Sequence, residues 1–400
     1  MKEIMLLYLF FITAITSNCS SDKQSKDSLP YIDSQKNYPI KELILTDVAE
    51  VTYLYLNSDE RDYLYNGGIR CVTENTIVVY DNSSHTVLFF SKDGKPKSRF
   101  NRKGRGGEEY FEADIILYDE TTDDVFIFSS VAYADFIQVY SSVGKYKRKI
   151  SVPGVSMYRA INFDEHSLLV YDLNYYRPKL YEKQKSSPIA GLLAQSPSFI
   201  FSKYDSPFLL ISKIDGAIMD IIKVPERDIV LLTPEGLPFD PTRMIQSLNG
   251  IFLCNPDNDT VYLYSKDRSL TPVFYKTPPG IDSYPIVILN NFIDIGQYQF
   301  MELVTVCREN REYPIKYYFR DKQNGDIYRQ KIVLPDYKGK ELYIGPSKSG
   351  YRFKDGVRFN LDLLELKQDY RDNRLSGKLK ELVATLKDDD NNVIVIARFK

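Results

Sequence analysis

The sequence predicts an all-β chain folded as a six-bladed β-propeller of four-stranded antiparallel blades, with seven blades as the alternative count. Three observations point there. Of 400 residues, 32 are Tyr and 22 are Phe, while Trp is absent; Tyr and Phe favour pleated, half-buried strands. One hairpin pattern recurs along the chain. Helical periodicity is nearly absent before Asn360.

The hairpin is clearest in NTIVVYDNSSHTVLFFSKDGKPKSRF, Asn75 to Phe100, and in DDVFIFSSVAYADFIQVYSSVGKYKRKI, Asp123 to Ile150. Each holds an apolar strand, a polar turn and a second strand, then a serine, a Gly-Lys turn and a basic strand ending on an apolar residue. Gly94 and Gly144 lie fifty residues apart. A third copy, NGIFLCNPDNDTVYLYSKDRSLTPVF, runs from Asn249 to Phe274. There Arg268 stands at the glycine position, so that turn is expected to differ in type. LLISKIDGAIMDIIKVP is a weaker fourth copy and HSLLVYD, His166 to Asp172, a fragment of a fifth. KYYFRDKQNGDIYRQKIVLP repeats the rhythm around Asn324-Gly325, a strong hairpin signal. From about Tyr38, roughly 360 residues at about 50 to 60 per blade make six or seven blades. A β-sandwich does not explain the recurrence, and a parallel sheet would need many helices between its strands.

The N-terminus, MKEIMLLYLFFITAITSNCSSDKQ, reads as an export signal. Lys2 precedes an apolar run from Met5 to about Ile15, short for a membrane span. Small and polar residues then lead to Cys19. Residues 1–18 are expected to be a lipoprotein signal peptide, 19–37 a flexible polar tether and 38–400 the propeller. Helices are expected over about 360–388, where Leu375, Leu379, Leu382, Val383 and Leu386 form one apolar stripe. Asp388 to Asn392 should be a solvated turn rather than a calcium loop, lacking the glycine and terminal glutamate of an EF-hand. A closing strand over 393–399 should pair with an early strand such as Val51 to Leu56, so that no sheet edge stays open.

These stretches together resemble the exported six-bladed β-propeller lipoproteins of gut-type Gram-negative bacteria. The likeness rests on IKELILTDVAEVTYLYL, GRGGEEY, DTVYLYSKDRSLTPVF and LKDDDNNVIVIARFK. Family members more usually read GxGPGEY where this chain has Gly106-Gly107-Glu108-Glu109. The resemblance implies lipid attachment at Cys19, an envelope address at the outer membrane and no established reaction.

Chemistry has little material. The net charge of −2 and pI near 5.9 leave no general attraction to nucleic acid. His85 and His166 are the only histidines, and they should sit in turns at opposite ends of the blades, unable to share a metal. Cys71, Cys254 and Cys307 show no CxxC spacing; one disulfide among them stays open. There is no G-x-S-x-G elbow. The loop GRGGEEY lacks the Lys-Ser/Thr of a phosphate loop and carries two carboxylates that would repel a phosphate. It reads as a crossing between blades, with Arg105, Tyr110 and Asp114 as its nearest binding candidates. The basic stretches KPKSR and KYKRK read as exposed outer strands. The aromatic segment from Asn174 to Phe199 interrupts the blade rhythm, and such insertions tend to be functional; Tyr175, Tyr176 and Arg177 are its recognition candidates. The expected function is a non-enzymatic, envelope-anchored binding or scaffold module for a glycan, peptide or partner envelope protein. The alternative is a metal-assisted hydrolase or lactonase acting at the channel. No cofactor is implied, and a channel-bound divalent cation stays open.

Overall fold

Strand runs such as TIVVYD and SLLVYD are buried along their whole length, as expected of strands packed on both faces between neighbouring sheets. Outer strands such as PKSRF and YKRKIS alternate between exposed and covered positions. A computed structural model describes residues 29–58, 61–129, 135–175, 202–225, 243–254, 258–279, 285–307, 312–345, 351–353 and 356–400. The described strands form six sheets, each with four consecutive antiparallel strands at its centre.

The first blade is Gly67–Val72, Thr76–Asp81, Thr86–Ser91 and Pro96–Phe100, from inner to outer strand. The second is Ile115–Asp119, Asp124–Phe128, Phe136–Tyr140 and Tyr146–Ser151. In the third, Met157–Asn162 and Ser167–Asp172 are followed, after a long excursion, by Phe208–Ser212 and Ile218–Ile222. The two weakest repeat copies are therefore halves of one blade, split by the inserted segment. The fourth is Arg243–Gln246, Gly250–Cys254, Thr260–Ser265 and Leu270–Thr277, and the fifth Ile286–Ile295, Tyr298–Val306, Ile315–Asp321 and Ile327–Val333. The sixth takes Tyr351–Phe353, Gly356–Leu361 and Val393–Phe399 from the C-terminal part, and its outer strand, Ala49–Tyr55, from the N-terminal part. Pairing of Val395 with Tyr53 and Ile396 with Thr52 closes the ring as the alternation of both strands requires.

The core lies between blades rather than in one central mass. One buried cluster fills each of the six interfaces: Val78, Phe89 and Tyr118 between the first and second blades, for example, and Leu54, Ile77 and Ile394 between the sixth and first. The largest, between the fifth and sixth, also receives Leu366, Leu379 and Val383 from helices Leu363–Arg371 and Gly377–Thr385. The apolar stripe seen in the sequence is the face that meets this cluster. Asp362 caps the first of these helices by accepting from the Glu365 N–H at 2.9 Å.

Two expectations change. The ordered fold begins before Tyr38: β1 (Tyr31–Asp33) pairs in parallel with Tyr275–Thr277, and Ile32 is fully buried. The segment expected as tether thus ends at least seven residues earlier, because Ile32 finds apolar cover on the fourth blade. Further on, β2 (Ile40–Ile44) pairs in parallel with Arg329–Val333 of the fifth blade, before β3 (Ala49–Tyr55) completes the sixth. The N-terminal segment is therefore a strap around three successive blades. Second, the Arg268 turn does not differ in type. Arg268 has φ 65° beside 83° at Gly94 and 77° at Gly144, and its N–H bonds back to Ser265 O at 2.9 Å as Gly94 does to Ser91 O. Asp267 accepts from both Ser265 and Ser269, and Asp93 accepts from Ser91 at the same place in the Gly94 turn. The disulfide question that the sequence left open is answered: Cys71, Cys254 and Cys307 are all free thiols.

The residues from Asp388 to Asn392 fasten the fold. Asp390 accepts from Ser58 Oγ at 3.0 Å, and Asn392 Oδ1 accepts from the Leu363 N–H at 2.9 Å.

Candidate recognition site at the loop end

Up-and-down blades have two unlike ends. Turns between first and second strands, and between third and fourth, lie at one end; second-to-third loops and the crossings between blades lie at the other. The first end carries the tight turns at Gly94, Gly144, Gly216, Arg268 and Gly325. The second carries the crossing 101–114, the short turn Leu173–Tyr175 and the helical insertion of the sixth blade. His85 follows a second strand and His166 precedes one, so the two histidines sit at opposite ends, as the repeat alignment required.

GRGGEEY is the crossing from the first blade's outer strand to the second blade's inner strand, and its glycines enclose a carboxylate of their own. The Gly106 N–H donates to Glu109 Oε2 at 2.8 Å. A Cβ on Gly104 would lie 1.9 Å from that same oxygen. The backbone cradle that an anion would need is filled by Glu109. The loop is pinned further by Gly104 N–H to Tyr110 O at 3.0 Å and by Tyr140 Oη to Glu108 O at 2.8 Å.

Arg105 is exposed on this loop. Tyr110 is 2% exposed, with its hydroxyl donating to His85 O at 2.8 Å; burial raises its phenol well above the usual range. Tyr110 is therefore a packing residue, and its place among binding candidates is corrected: the apolar gap between the first two blades takes its ring. Asp114 is half-buried at the start of the second blade's inner strand, its N–H donating to Phe128 O. Tyr175 ends a short turn, Leu173–Tyr175, and packs on the cluster between the third and fourth blades. That interface is not the one between the first and second blades, where Arg105 and Asp114 sit, so the candidates belong to two patches of one end. Tyr176, Arg177 and Cys19 lie outside the described residues.

The structure assembles a group at this crossing that spacing alone did not reveal. Lys103 Nζ is 2.9 Å from Glu112 Oε1 and 3.1 Å from His85 Nε2. The other ring nitrogen, His85 Nδ1, lies 3.1 Å from Tyr80 Oη. Burial, then the Glu112 carboxylate, pushes the Tyr80 phenol up to about 12, partly offset by Arg70, with Asp114 also raising it. The Arg70 guanidinium lies 5.5 Å from the Tyr80 ring centroid. Arg70 is the unpaired residue of a bulge in the innermost strand, between the pairs Ile69–Val79 and Cys71–Val78; bulges re-aim side chains. Tyr158 and Asn290 occupy equivalent bulges on the inner strands of the third and fifth blades. A register shift has no signature in one sequence, and these residues were missed for that reason. Among the described residues, no three His, Cys, Asp or Glu side chains group as metal ligands.

A family model described as a 6-bladed beta-propeller, DUF5128, matches residues 20–189. A crystal structure of a Bacteroides fragilis protein designated as exported superposes with a TM-score of 0.61 at 15% identity, covering 92% of this chain and 99% of that one. A Bacteroides vulgatus member of the DUF4221 family gives a TM-score of 0.47 at 9% identity, covering 88% and 97%. No curated protein matches the chain in sequence. Among the described residues, no helix is long and apolar enough to cross a membrane. The six closed sheets and the matching family model together make this chain a six-bladed β-propeller.

Proposed function

We propose that the chain is an envelope-anchored recognition module whose loop end binds a glycan, a peptide or a partner envelope protein. One observation carries this reading. Arg70, His85, Lys103 and Glu112 come from an inner strand, a turn and a blade crossing, yet gather about Tyr80 at one end of the ring, with the Asp114 carboxylate raising the Tyr80 phenol. Function on such scaffolds sits in loops held by a fixed frame. Side chains of both charge signs favour a peptide segment that presents both signs over a bare anion, particularly since Glu109 occupies the glycine cradle of this crossing.

Lipid attachment at Cys19 is part of the proposal. Leu29 lies ten residue steps further on, at most about 36 Å away, which would keep the propeller close to the outer membrane. Cys19→Ala should abolish labelling by a palmitate analogue and release the protein from the membrane fraction. For recognition, a photo-crosslinking residue at Glu112 should capture a discrete envelope partner in intact cells, and Asp114→Ala combined with Lys103→Ala should abolish the adduct. Hydrolysis of a lactone or ester panel by the purified chain, dependent on a divalent cation and lost in Glu112→Gln, would overturn the binding reading in favour of an enzyme.

A further inference from the structure

The N-terminal strap does more than decorate the perimeter. Blades radiate, so the gap between neighbours widens outward. Between the fourth and fifth blades the strap bridges that gap, leaving β1 after Asp33 and joining β2 at Ile40. Beneath and beside the bridge is a cavity of ≈ 650 Å³, within the range of small-molecule sites. Its shape is set by the strap itself: Tyr38 Oη accepts from the Asp33 N–H at 2.9 Å, and the Tyr38 ring meets Tyr318 of the fifth blade edge-on at 5.7 Å.

The lining has a specific chemistry. Tyr31 stacks one face on Tyr275 at 5.2 Å with 26° between the rings, yet is 50% exposed, so its other face is open. Tyr328 differs: Lys41 Nζ lies 4.5 Å from its ring centroid and Phe319 packs against it at 5.4 Å, while its hydroxyl donates to Asp326. The charges around the cavity balance, Lys36 and Arg320 against Asp33 and Asp326. An open aromatic face, tyrosine hydroxyls and paired charges of both signs suit a ligand that is neutral, carries many hydroxyls and has one apolar face.

We propose that this rim cavity is a second binding site, for a neutral saccharide stacked on Tyr31 with its hydroxyls bonded by Arg320, Asp326 and Asp33. The site is separate from the loop end and stands whether or not a peptide binds there. The test is isothermal titration of the full chain with cellobiose, xylobiose, mannobiose and chitobiose. At least one gives saturable binding, weakened about tenfold by Tyr31→Ala through loss of the stacking face. Arg320→Ala weakens the same binding, and Ile214→Ser, an exposed change on the third blade and outside the cavity lining, leaves it unaltered. Melting temperatures of all three variants serve as the check on folding. Absence of binding by all four sugars, or binding indifferent to both Tyr31→Ala and Arg320→Ala, overturns the proposal. So does tighter binding of the tripeptide Lys-Gly-Asp at the same residues.

Discussion

Lys213 of the third blade places its Nζ 2.7 Å from Asp119 Oδ2 of the second, with the two side chains only 7% and 11% exposed. The same ammonium donates to Asp164 O at 2.7 Å. The pair links the end of one blade's inner strand to the last turn of the next. Removing one partner strands the other charge in a nearly dry site. Lys213→Ala should therefore lower unfolding stability by about 3–5 kcal/mol, whereas Lys213→Met with Asp119→Leu should recover most of it. Urea unfolding of the single and double variants checks this; a double variant as unstable as Lys213→Ala would mean that the charges themselves are required.

Arg268 holds a left-handed backbone at φ 65° where the equivalent turns have glycine. An L-residue there carries a steric cost of about 1–2 kcal/mol that glycine avoids. Arg268→Gly should raise stability by roughly 1 kcal/mol, less what the unfolded chain gains in freedom. The readout is the urea midpoint at unchanged m-value.

Asn391 is 4% exposed and makes three hydrogen bonds to the first blade's approach: Nδ2 to Leu56 O at 2.9 Å and to Tyr63 O at 3.0 Å, and Oδ1 from the Tyr65 N–H. It joins the closing strand to the chain that opens the next blade. Asn391→Ala leaves these groups without their partner and should destabilise by about 3 kcal/mol. Hydrogen exchange should rise first in Ala49–Tyr55 and Val393–Phe399, the two strands that close the ring. Uniform loss of protection in all blades would argue against a local role.

Acid should unfold the protein through turn carboxylates. Burial alone would raise Asp81, but the Ser84 hydroxyl and the N–H groups of Asn66, Ser84 and Ser83 outweigh it and hold the carboxyl below its usual range. Asp124 is likewise raised by burial and more strongly lowered by Arg148 and Lys147. A folded pKa below the unfolded value near 3.9 gives stability that is present above that pH and lost as pH falls through the folded value. Stability should be flat from about pH 7 to 5 and fall below about pH 4. Asp81→Asn should be less stable at neutral pH and show a shallower acid slope.

The sequence by itself determined the fold and its repeat. A hairpin signature repeated in an aromatic-rich chain needs only local information: two-residue periodicity, turn chemistry and burial on both faces. The ring's closing pair and the apolar stripe of the C-terminal helix were legible on the same grounds. The Arg268 turn was misread because an arginine can hold, at a steric cost, the left-handed backbone that glycine adopts freely, so a missing glycine does not by itself change the turn type. Tertiary structure decided the rest. It buried Tyr110, filled the glycine cradle with Glu109 and brought Lys103 onto His85. It also ran Tyr31–Asp33 along a strand more than two hundred residues away in sequence. Such relationships follow from register and blade geometry, which sum weak contacts over the entire ring, and no short stretch of residues contains them.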